Sequence, residues 1–322
     1  MIKNSILDLI GNTPMLKINN LNTYGNNIFL KLEGYNPSRS TKDRIVLEMI
    51  EDAEKKGIIK DSTTIMEATS GNTGISLAMI CAIKKYPLKI VMPDTMSIER
   101  IQLMKAYGAE VILTPGILGM KACLEKLEEL KNNIKDVFIP NQFDNINNPK
   151  AHYKTTANEI LKDLNYKLDI FFCGTGTGGS FSGISKKLKE VLPNIKTFPV
   201  EPLNSPLLSK GYIGNHKIQG MGMSTGKIPS VYDKTLADNI STGKIPSVYD
   251  KTLADNIFTA SCESAFDITK TLALKEGILA GISTGAVLSC ALEFSKNNPN
   301  KNLNIVILST DSGEKYLSSS VF

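Results

Sequence analysis

The stretch of sequence that decides the fold is residues 168–180, which read LDIFFCGTGTGGS. Its first half, broken only by Asp169, is almost continuously apolar, which is typical of a strand covered on both faces. Its second half is a loop rich in glycine and threonine, placed where a strand passes into a helix. Parallel sheets flanked by helices contain such strands, and ligands bind at the strands' carboxyl ends. The stretch therefore predicts an α/β fold with a ligand site at this loop.

Six other short runs, rich in β-branched and apolar residues, also predict strands. They are residues 63–68, 88–93, 109–114, 137–140, 197–201 and 304–310. Amphipathic segments between them predict helices. This alternation favours a mostly parallel α/β architecture.

Composition excludes several classes of protein. The chain has 322 residues, 42% of them hydrophobic and 21% charged, so it can bury roughly three-quarters of its unfolded surface and is not disordered. Its net charge is +5, with basic residues interspersed among acidic ones, which favours an anionic small ligand over nucleic acid. No run approaches the length of a membrane span, and we expect no membrane partner. The first residues show no secretory leader, so the expected compartment is the cytoplasm.

The cysteines and histidines indicate neither disulfides nor a metal site. The five cysteines are odd in number and form no CxxC pair, so we interpret them as reduced core residues. Only His152 and His216 are present, which makes zinc chemistry improbable. We therefore predict no metal.

An exact internal repeat stands in the second half of the chain. Residues 224–240 read STGKIPSVYDKTLADNI, and residues 241–257 repeat them letter for letter. A solenoid needs at least three units, so we interpret the repeat as a recent duplication or an artefact, with one copy looped out. A longer surface loop costs little free energy, and we expect the chain to fold and act without residues 241–257.

The glycine-rich loop at 174–179 permits two interpretations. It satisfies G-x-G-x-x-G between a strand and a helix, with Glu201 roughly 20 residues on, as in dinucleotide-binding proteins. Its hydroxyl groups and the following Ser180 suit a single phosphate at a helix N-terminus equally well. The motif indicates phosphate more firmly than NAD.

Two other motif matches do not indicate a serine enzyme. Residues 281–285, GISTG, spell the nucleophile elbow G-x-S-x-G, but both histidines precede Ser283, whereas that hydrolase order needs one after it. Residues 38–42, SRSTK, do not match S-x-x-K either. We interpret 281–285 as a tight glycine turn.

The loop 69–74, TSGNTG, predicts a carboxylate site. It ends a predicted strand and opens a helix, where hydroxyls, an amide and free main-chain N–H groups face an anion. An ordinary N-cap needs only one such residue. Six consecutive polar or glycine residues exceed that need.

Together these motifs resemble one enzyme family. They are IGNTP at 10–14, NPSRSTKDR at 36–44, TSGNTG at 69–74, NQF at 141–143, GTGTGG at 174–179, GISTG at 281–285 and DSGEKY at 311–316. Their order is that of the cysteine synthases (O-acetylserine sulfhydrylases) and the catalytic core of cystathionine β-synthase, which are fold-type II pyridoxal phosphate enzymes. The resemblance covers residues 6–319, apart from the duplicated segment.

The resemblance implies a fold and a domain organisation. It implies two open, mostly parallel twisted sheets flanked by helices, as in the β subunit of tryptophan synthase. Residues 41–150 would form a smaller, mobile domain that carries the carboxylate loop, and residues 1–40 and 151–322 a larger domain that carries the phosphate loop. A homodimer is also implied.

The resemblance further assigns roles to residues that match the family's motifs. Lys42 would form the Schiff base with pyridoxal 5'-phosphate and then act as general base at the substrate's α-carbon. The remaining assignments are the phosphate contacts Gly176, Thr177, Gly178, Gly179 and Ser180, the cofactor's 3-oxygen contact Asn72, the pyridine nitrogen contact Ser312, and the substrate-carboxylate contacts Thr69, Ser70, Thr73 and Gln142. A neutral hydroxyl opposite the pyridine nitrogen makes the ring a weaker electron sink, which favours chemistry at the β-carbon.

The implied reaction is β-replacement through an aminoacrylate. The first choice is O-acetyl-L-serine plus sulfide giving L-cysteine; the alternative is an L-cysteine lyase that releases hydrogen sulfide and adds hydroxide or a second thiol. Two departures from the family pattern, Ala68 in place of proline and a 220–229 segment two residues longer before its proline, leave the leaving group and nucleophile open. An NAD dehydrogenase would need a second nucleotide half and leaves Lys42 unexplained, and a pure binding protein would be expected to lose that lysine.

Overall fold

The computed structural model describes residues 2–69, 71–222, 244–319 and 321–322. The strands are β1 (Met15–Lys17), β2 (Asn27–Leu32), β3 (Thr64–Ala68), β4 (Leu88–Pro93), β5 (Glu110–Thr114), β6 (Val137–Phe138), β7 (Ile170–Gly174), β8 (Lys196–Pro202), β9 (Phe258–Ala260) and β10 (Asn304–Ser309). The helices are α1 (Lys42–Lys55), α2 (Asn72–Lys84), α3 (Ile98–Ala106), α4 (Gly119–Asn132), α5 (Asn147–Lys154), α6 (Thr156–Asp163), α7 (Gly179–Val191), α8 (Leu207–Lys210), α9 (Cys262–Glu276) and α10 (Ile282–Asn297).

The described strands form two sheets. The larger has the order β1-β2-β10-β7-β8-β9, in which β1 pairs antiparallel with β2 and every other neighbour pairs in parallel. The smaller has the order β5-β4-β3-β6 and is parallel throughout. Two mainly parallel sheets flanked by helices confirm the predicted fold class.

Strand β7 shows why the deciding stretch is so apolar. Phe172 packs on one face of the larger sheet, in a cluster with Phe198, Phe258 and Phe294. Phe171 packs on the other face, in the same core as α7. Because side chains alternate between the two faces of a strand, a strand that is buried on both faces needs apolar residues at successive positions.

All seven predicted strands are present, with ends within two residues of the expected positions. The strands β1, β2 and the short β9 were not among the seven predicted runs. In β2 the buried Lys31 interrupts the apolar pattern; its ammonium donates to the Thr13 carbonyl at 2.7 Å and to Asp163 at 2.9 Å. A lysine paired in this way is compatible with a buried strand, although its charge hides the strand in the sequence.

The second copy of the repeat is packed into the fold from Lys244 onward. Tyr249 is buried with its ring centroid 5.7 Å from that of Phe181 in α7. Asp255 pairs with Lys189 at 2.6 Å and accepts the Thr197 main-chain N–H at 2.8 Å. The first copy, 224–240, lies outside the described residues, so the expectation that one copy is looped out stays a prediction.

Two further findings concern membrane-spanning helices and the cysteines. In the described part of the chain, no helix is both long and apolar enough to cross a membrane. All five cysteines are free; four are buried and Cys262 is half-buried.

Candidate active site

A cavity of about 300 Å³ opens where the carboxyl ends of strands from both sheets meet. Loops that follow β3, β6, β7 and β10 contribute to its wall, as the α/β prediction required. The predicted site residues that line it are Lys42, Thr69, Asn72, Thr73, Gln142, Gly176, Thr177, Gly178 and Ser180. Gly179 begins α7 beside this wall, and Ser312 is a buried neighbour of the lining residue Asp311. Ser70 lies outside the described residues.

The phosphate loop joins β7 to the N-terminus of α7. Gly178 has φ +85°, a left-handed conformation that favours glycine and that turns the loop into the helix. A Cβ at Gly176 would lie 2.8 Å from the Gly220 carbonyl oxygen, so only glycine allows this approach. Such a loop presents main-chain N–H groups and the positive end of the helix dipole to an anion.

His152 supports the phosphate loop from α5. Its Nε2 lies 2.9 Å from the Ser180 hydroxyl oxygen and its Nδ1 2.9 Å from the Thr156 hydroxyl oxygen. Burial lowers the pKa of His152 to about 3, so the ring is neutral at neutral pH. A neutral imidazole donates through one nitrogen and accepts through the other, so His152 can hydrogen-bond both hydroxyl groups and connects Ser180 to α6.

Lys42 is the first residue of α1 and its side chain lines the cavity. Desolvation lowers the pKa of the Lys42 amine, and the nearby Asp311 carboxylate partly offsets that effect. The neutral amine, which is the form that acts as nucleophile or base, is therefore favoured.

The predicted carboxylate site is built from two loops. The Thr73 hydroxyl donates to Gln142 Oε1 at 2.8 Å, which joins the start of α2 to the loop after β6. The buried Asn148 amide donates to the Gln142 carbonyl at 2.8 Å and to the Thr177 hydroxyl at 3.0 Å. Asn148 thus connects the loop that carries Gln142 with the phosphate loop.

Asn72 lies within a polar network that the sequence analysis did not resolve. Its amide Nδ2 donates to Asp311 at 2.8 Å, and its Oδ1 accepts from the Lys315 ammonium at 2.9 Å. Lys315 also donates to the carbonyls of Ser38 and Arg39, and burial lowers its pKa to about 8. One Nδ2 hydrogen of Asn72 remains available to a cofactor oxygen.

Several cavity residues were missed by sequence reasoning. Asp311 is the first residue of the DSGEKY motif, so that motif is the sequence signal that could have identified it. Arg100 and His216 also line the cavity, yet they come from segments with no motif of their own. Only the tertiary structure brings them to the site.

The rejected motif interpretations also have structural explanations. The buried Glu201 carboxylate accepts the main-chain N–H groups of Leu208 and Ser209 at 2.7 and 2.9 Å, so it is not free to bind a ribose. The Ser283 hydroxyl lies 2.7 Å from that of Thr310, and no histidine is among its hydrogen-bond partners in the described structure.

Two parallel sheets, a phosphate loop and a buried lysine at their shared edge define a class of cofactor enzymes. The chain belongs to the family described as pyridoxal-phosphate dependent enzymes, whose sequence profile matches residues 6–311. Within that family, it is 44% identical over 321 residues to cysteine synthase B of Campylobacter jejuni, covering 100% of this chain and 99% of that protein. The resemblance to the cysteine synthases and the expected cofactor are thereby confirmed.

Solved structures agree with this placement. A hydrogen sulfide-producing enzyme from Fusobacterium nucleatum is 68% identical, with a TM-score of 0.91 over 98% of this chain and 100% of that one. A cysteine synthase from Entamoeba histolytica is 36% identical, with a TM-score of 0.90 over 100% of this chain and 91% of that one. The similarity therefore extends over almost the whole fold.

The residues present fit pyridoxal phosphate. Among the residues that the structure describes, the buried hydroxyl of Ser312 has no hydrogen-bond partner, and neither has that of Thr41 next to Lys42. An unpaired buried hydroxyl is costly, and a ligand atom that completes its hydrogen bond removes that cost. These groups, together with the loop at Gly176 and Gly178, suit a phosphorylated aromatic ring.

Proposed function

We propose that this pyridoxal phosphate enzyme converts O-acetyl-L-serine and sulfide into L-cysteine and acetate. The observation that carries the proposal is the joining of the Thr69–Thr73 and Gln142 loops beside Lys42 and the phosphate loop in one cavity. Full-length relatives named cysteine synthases support the choice of substrates.

Different residues of the chain would hold the cofactor and the substrate. Residues 176–180 would hold the cofactor phosphate, Asn72 would contact the ring oxygen and Ser312 the ring nitrogen. Thr69, Ser70, Thr73 and Gln142 would hold the amino acid's carboxylate, which fixes the α-carbon relative to Lys42.

Proton transfer falls to Lys42. When bound, the cofactor draws electrons from the α-carbon and so acidifies its proton. The desolvated Lys42 amine can take that proton, and loss of acetate from the β-carbon leaves a position to which HS⁻ adds.

A second candidate is the release of sulfide from L-cysteine, with hydroxide or another thiol as the incoming nucleophile. The 68% identity with a hydrogen sulfide-producing enzyme favours it. Both reactions need the same carboxylate site, lysine and cofactor, so the assigned residues do not distinguish them.

One pair of assays decides between the candidates. Purified holoenzyme is given O-acetyl-L-serine with sulfide, and cysteine and acetate are measured; in parallel it is given L-cysteine alone, and sulfide is measured. A larger kcat/KM in the first assay supports the synthase, and a larger value in the second assigns the lyase. No turnover in either would contradict β-replacement.

Three accompanying proposals concern the whole protein. Residues 41–150, which contain the smaller sheet, would form a mobile domain, and residues 1–40 and 151–322 the larger one. The active species would be a homodimer working in the cytoplasm. Light scattering of the purified protein tests the dimer.

A further inference from the structure

Glu67 is a buried carboxylate that the proposed reaction does not use directly. It is the fourth residue of β3 and lies two positions before Thr69, at the edge of the carboxylate site. Its Oε2 accepts the main-chain N–H of Asn141, the residue before Gln142, at 3.1 Å. Glu67 therefore connects β3 to the loop that carries Gln142.

The chain turns sharply at the residue that Glu67 holds. Asn141 has φ +51°, a left-handed conformation that asparagine adopts more readily than most residues with a side chain. The segment is then held at three points: the Asn141 N–H by Glu67, the Gln142 carbonyl by Asn148 and the Gln142 side chain by Thr73. Only the first of these contacts depends on a charge.

We propose that Glu67 is a positioning residue that sets the affinity of the site for the amino acid's carboxylate through Gln142, and that it does so only when ionised. The inference rests on the proposed function, because it takes Gln142 as a substrate contact. An ionised carboxylate has two acceptor oxygens and no donor, so either oxygen can accept the Asn141 N–H. A protonated carboxyl group turns one oxygen into a donor and loses part of that hold.

The titration of Glu67 falls in the physiological range. Burial raises the pKa of Glu67 to about 7, against the opposing effect of the main-chain N–H groups of the adjacent loop. Glu128 and Lys131 on α4, Asp144 on the loop after β6, and Lys244 line the adjoining cavity. Cys123 of α4 packs in the core behind β3, and burial also raises its pKa.

The test compares three variants of the holoenzyme over pH 5.5–8.5. Glu67→Gln keeps the shape and removes the titration. Glu201→Gln is the matched control, because Glu201 is likewise a buried strand residue, and its carboxylate accepts the main-chain N–H groups of Leu208 and Ser209. Gln142→Ala tests the substrate contact itself. The readouts are the apparent Kd of O-acetyl-L-serine or L-cysteine, from the visible absorption of the cofactor, and KM and kcat separately.

We expect wild-type affinity to increase as pH rises through about 7. Glu67→Gln should lose this step and bind about 2- to 12-fold more weakly at pH 8, the loss of one hydrogen bond, with kcat little changed. Glu201→Gln should keep the wild-type profile.

Three results would count against the proposal. A wild-type profile without the step, tighter binding below pH 7, or wild-type affinity in Glu67→Gln at pH 8 would each overturn the role of Glu67. If Glu67→Gln does not fold, Gln142→Ala takes its place, since the step must shrink when the side chain it controls is removed. If Gln142→Ala binds as tightly as wild type, it is the assigned carboxylate contact of the proposed function that fails.

Discussion

At the scale of single residues, the candidate site contains two buried lysines that interact with the same carboxylate. Lys42 and Lys315 are both withdrawn from water near Asp311, and burial lowers the pKa of each amine. They differ in their partners: Lys315 donates to two carbonyls and to Asn72, whereas Lys42 faces the cavity. Within the described structure it is therefore the Lys42 amine that is placed to meet a ligand in the cavity.

Lys42→Ala should abolish covalent attachment of the cofactor. Borohydride treatment of the holoenzyme followed by intact-mass measurement should show one added cofactor in wild type and none in the variant. Lys315→Ala is the control and should retain the label, because Lys315 is committed to hydrogen bonds. A label that survives in Lys42→Ala and disappears in Lys315→Ala would reverse the assignment.

Gln142→Ala should weaken amino-acid binding without loss of cofactor. A hydrogen bond to a charged carboxylate contributes about 1.5–3 kcal/mol, or about 10- to 150-fold in affinity. Spectral titration with O-acetyl-L-serine measures the affinity, and the absorbance of the purified variant measures its cofactor content. Unchanged affinity would remove Gln142 from the carboxylate site.

At the scale of elements, α1 is fixed by a buried ion network two residues after Lys42. The Arg44 guanidinium donates to Glu33, which follows β2, at 2.6 Å and to Glu159 of α6 at 2.6 Å. Burial alone would raise the pKa of both carboxyl groups, but Arg44 outweighs it and holds the pKa of Glu159 at about 2. The network joins three elements around the start of α1.

Arg44→Met should cost about 3–5 kcal/mol in the free energy of unfolding, because it leaves the buried Glu33 carboxylate without its cation and leaves the partly buried Glu159 paired with Lys31 alone. Lys154→Met is the control: Lys154 pairs with Glu48 at 2.7 Å but is half exposed, and we expect a loss below about 1 kcal/mol. Urea unfolding at pH 7 measures both. Equal losses would show that burial does not strengthen the Arg44 network.

The same network predicts a pH dependence. A carboxyl group with a lowered pKa in the folded state stabilises the fold above its unfolded pKa of about 4.3, and this stabilisation is lost as pH falls. The difference in unfolding free energy between wild type and Arg44→Met should therefore shrink between pH 7 and pH 3. A constant difference would mean that Arg44 acts through packing alone.

At the scale of the whole molecule, the repeat raises the question of which copy the fold needs. Because the copies are identical, deletion of 224–240 or of 241–257 gives the same chain. The contacts of Tyr249 and Asp255 show what a single copy supplies to α7 and β8. The single-copy chain should form these contacts unchanged.

Deletion of residues 241–257 should preserve folding, cofactor content and β-replacement activity. Loop length contributes only about 0.6 kcal/mol per doubling, so Tm should change by less than about 3 °C. Calorimetry, absorbance and turnover are compared with those of the full chain. An insoluble or cofactor-free product would show that both copies are structural.

Tyrosine substitutions in the two copies give an independent check. Tyr249→Ala should lose about 3 kcal/mol, because it removes a buried ring from the core. Tyr232→Ala, at the equivalent position of the other copy, should leave Tm unchanged if that copy is dispensable. Equal effects would contradict the hypothesis.

The sequence predicted much of the fold and the site. Continuous apolar runs such as 170–173 identify parallel strands, because only a strand covered on both faces needs every side chain to be apolar. Local motifs also singled out Lys42, the glycine-rich loop and Gln142, which line one cavity in the structure, and their roles there stay predictions.

What the tertiary structure decided was how distant segments meet. Arg100 and His216 reach the cavity, and Asn148 joins Gln142 to Thr177, through contacts that no local pattern encodes. The buried strand β2 and the raised pKa of Glu67 likewise depend on partners far away in sequence. Sequence alone determines which groups a segment offers, because those are covalent; only folding determines their burial and partners, and these set charge, orientation and affinity.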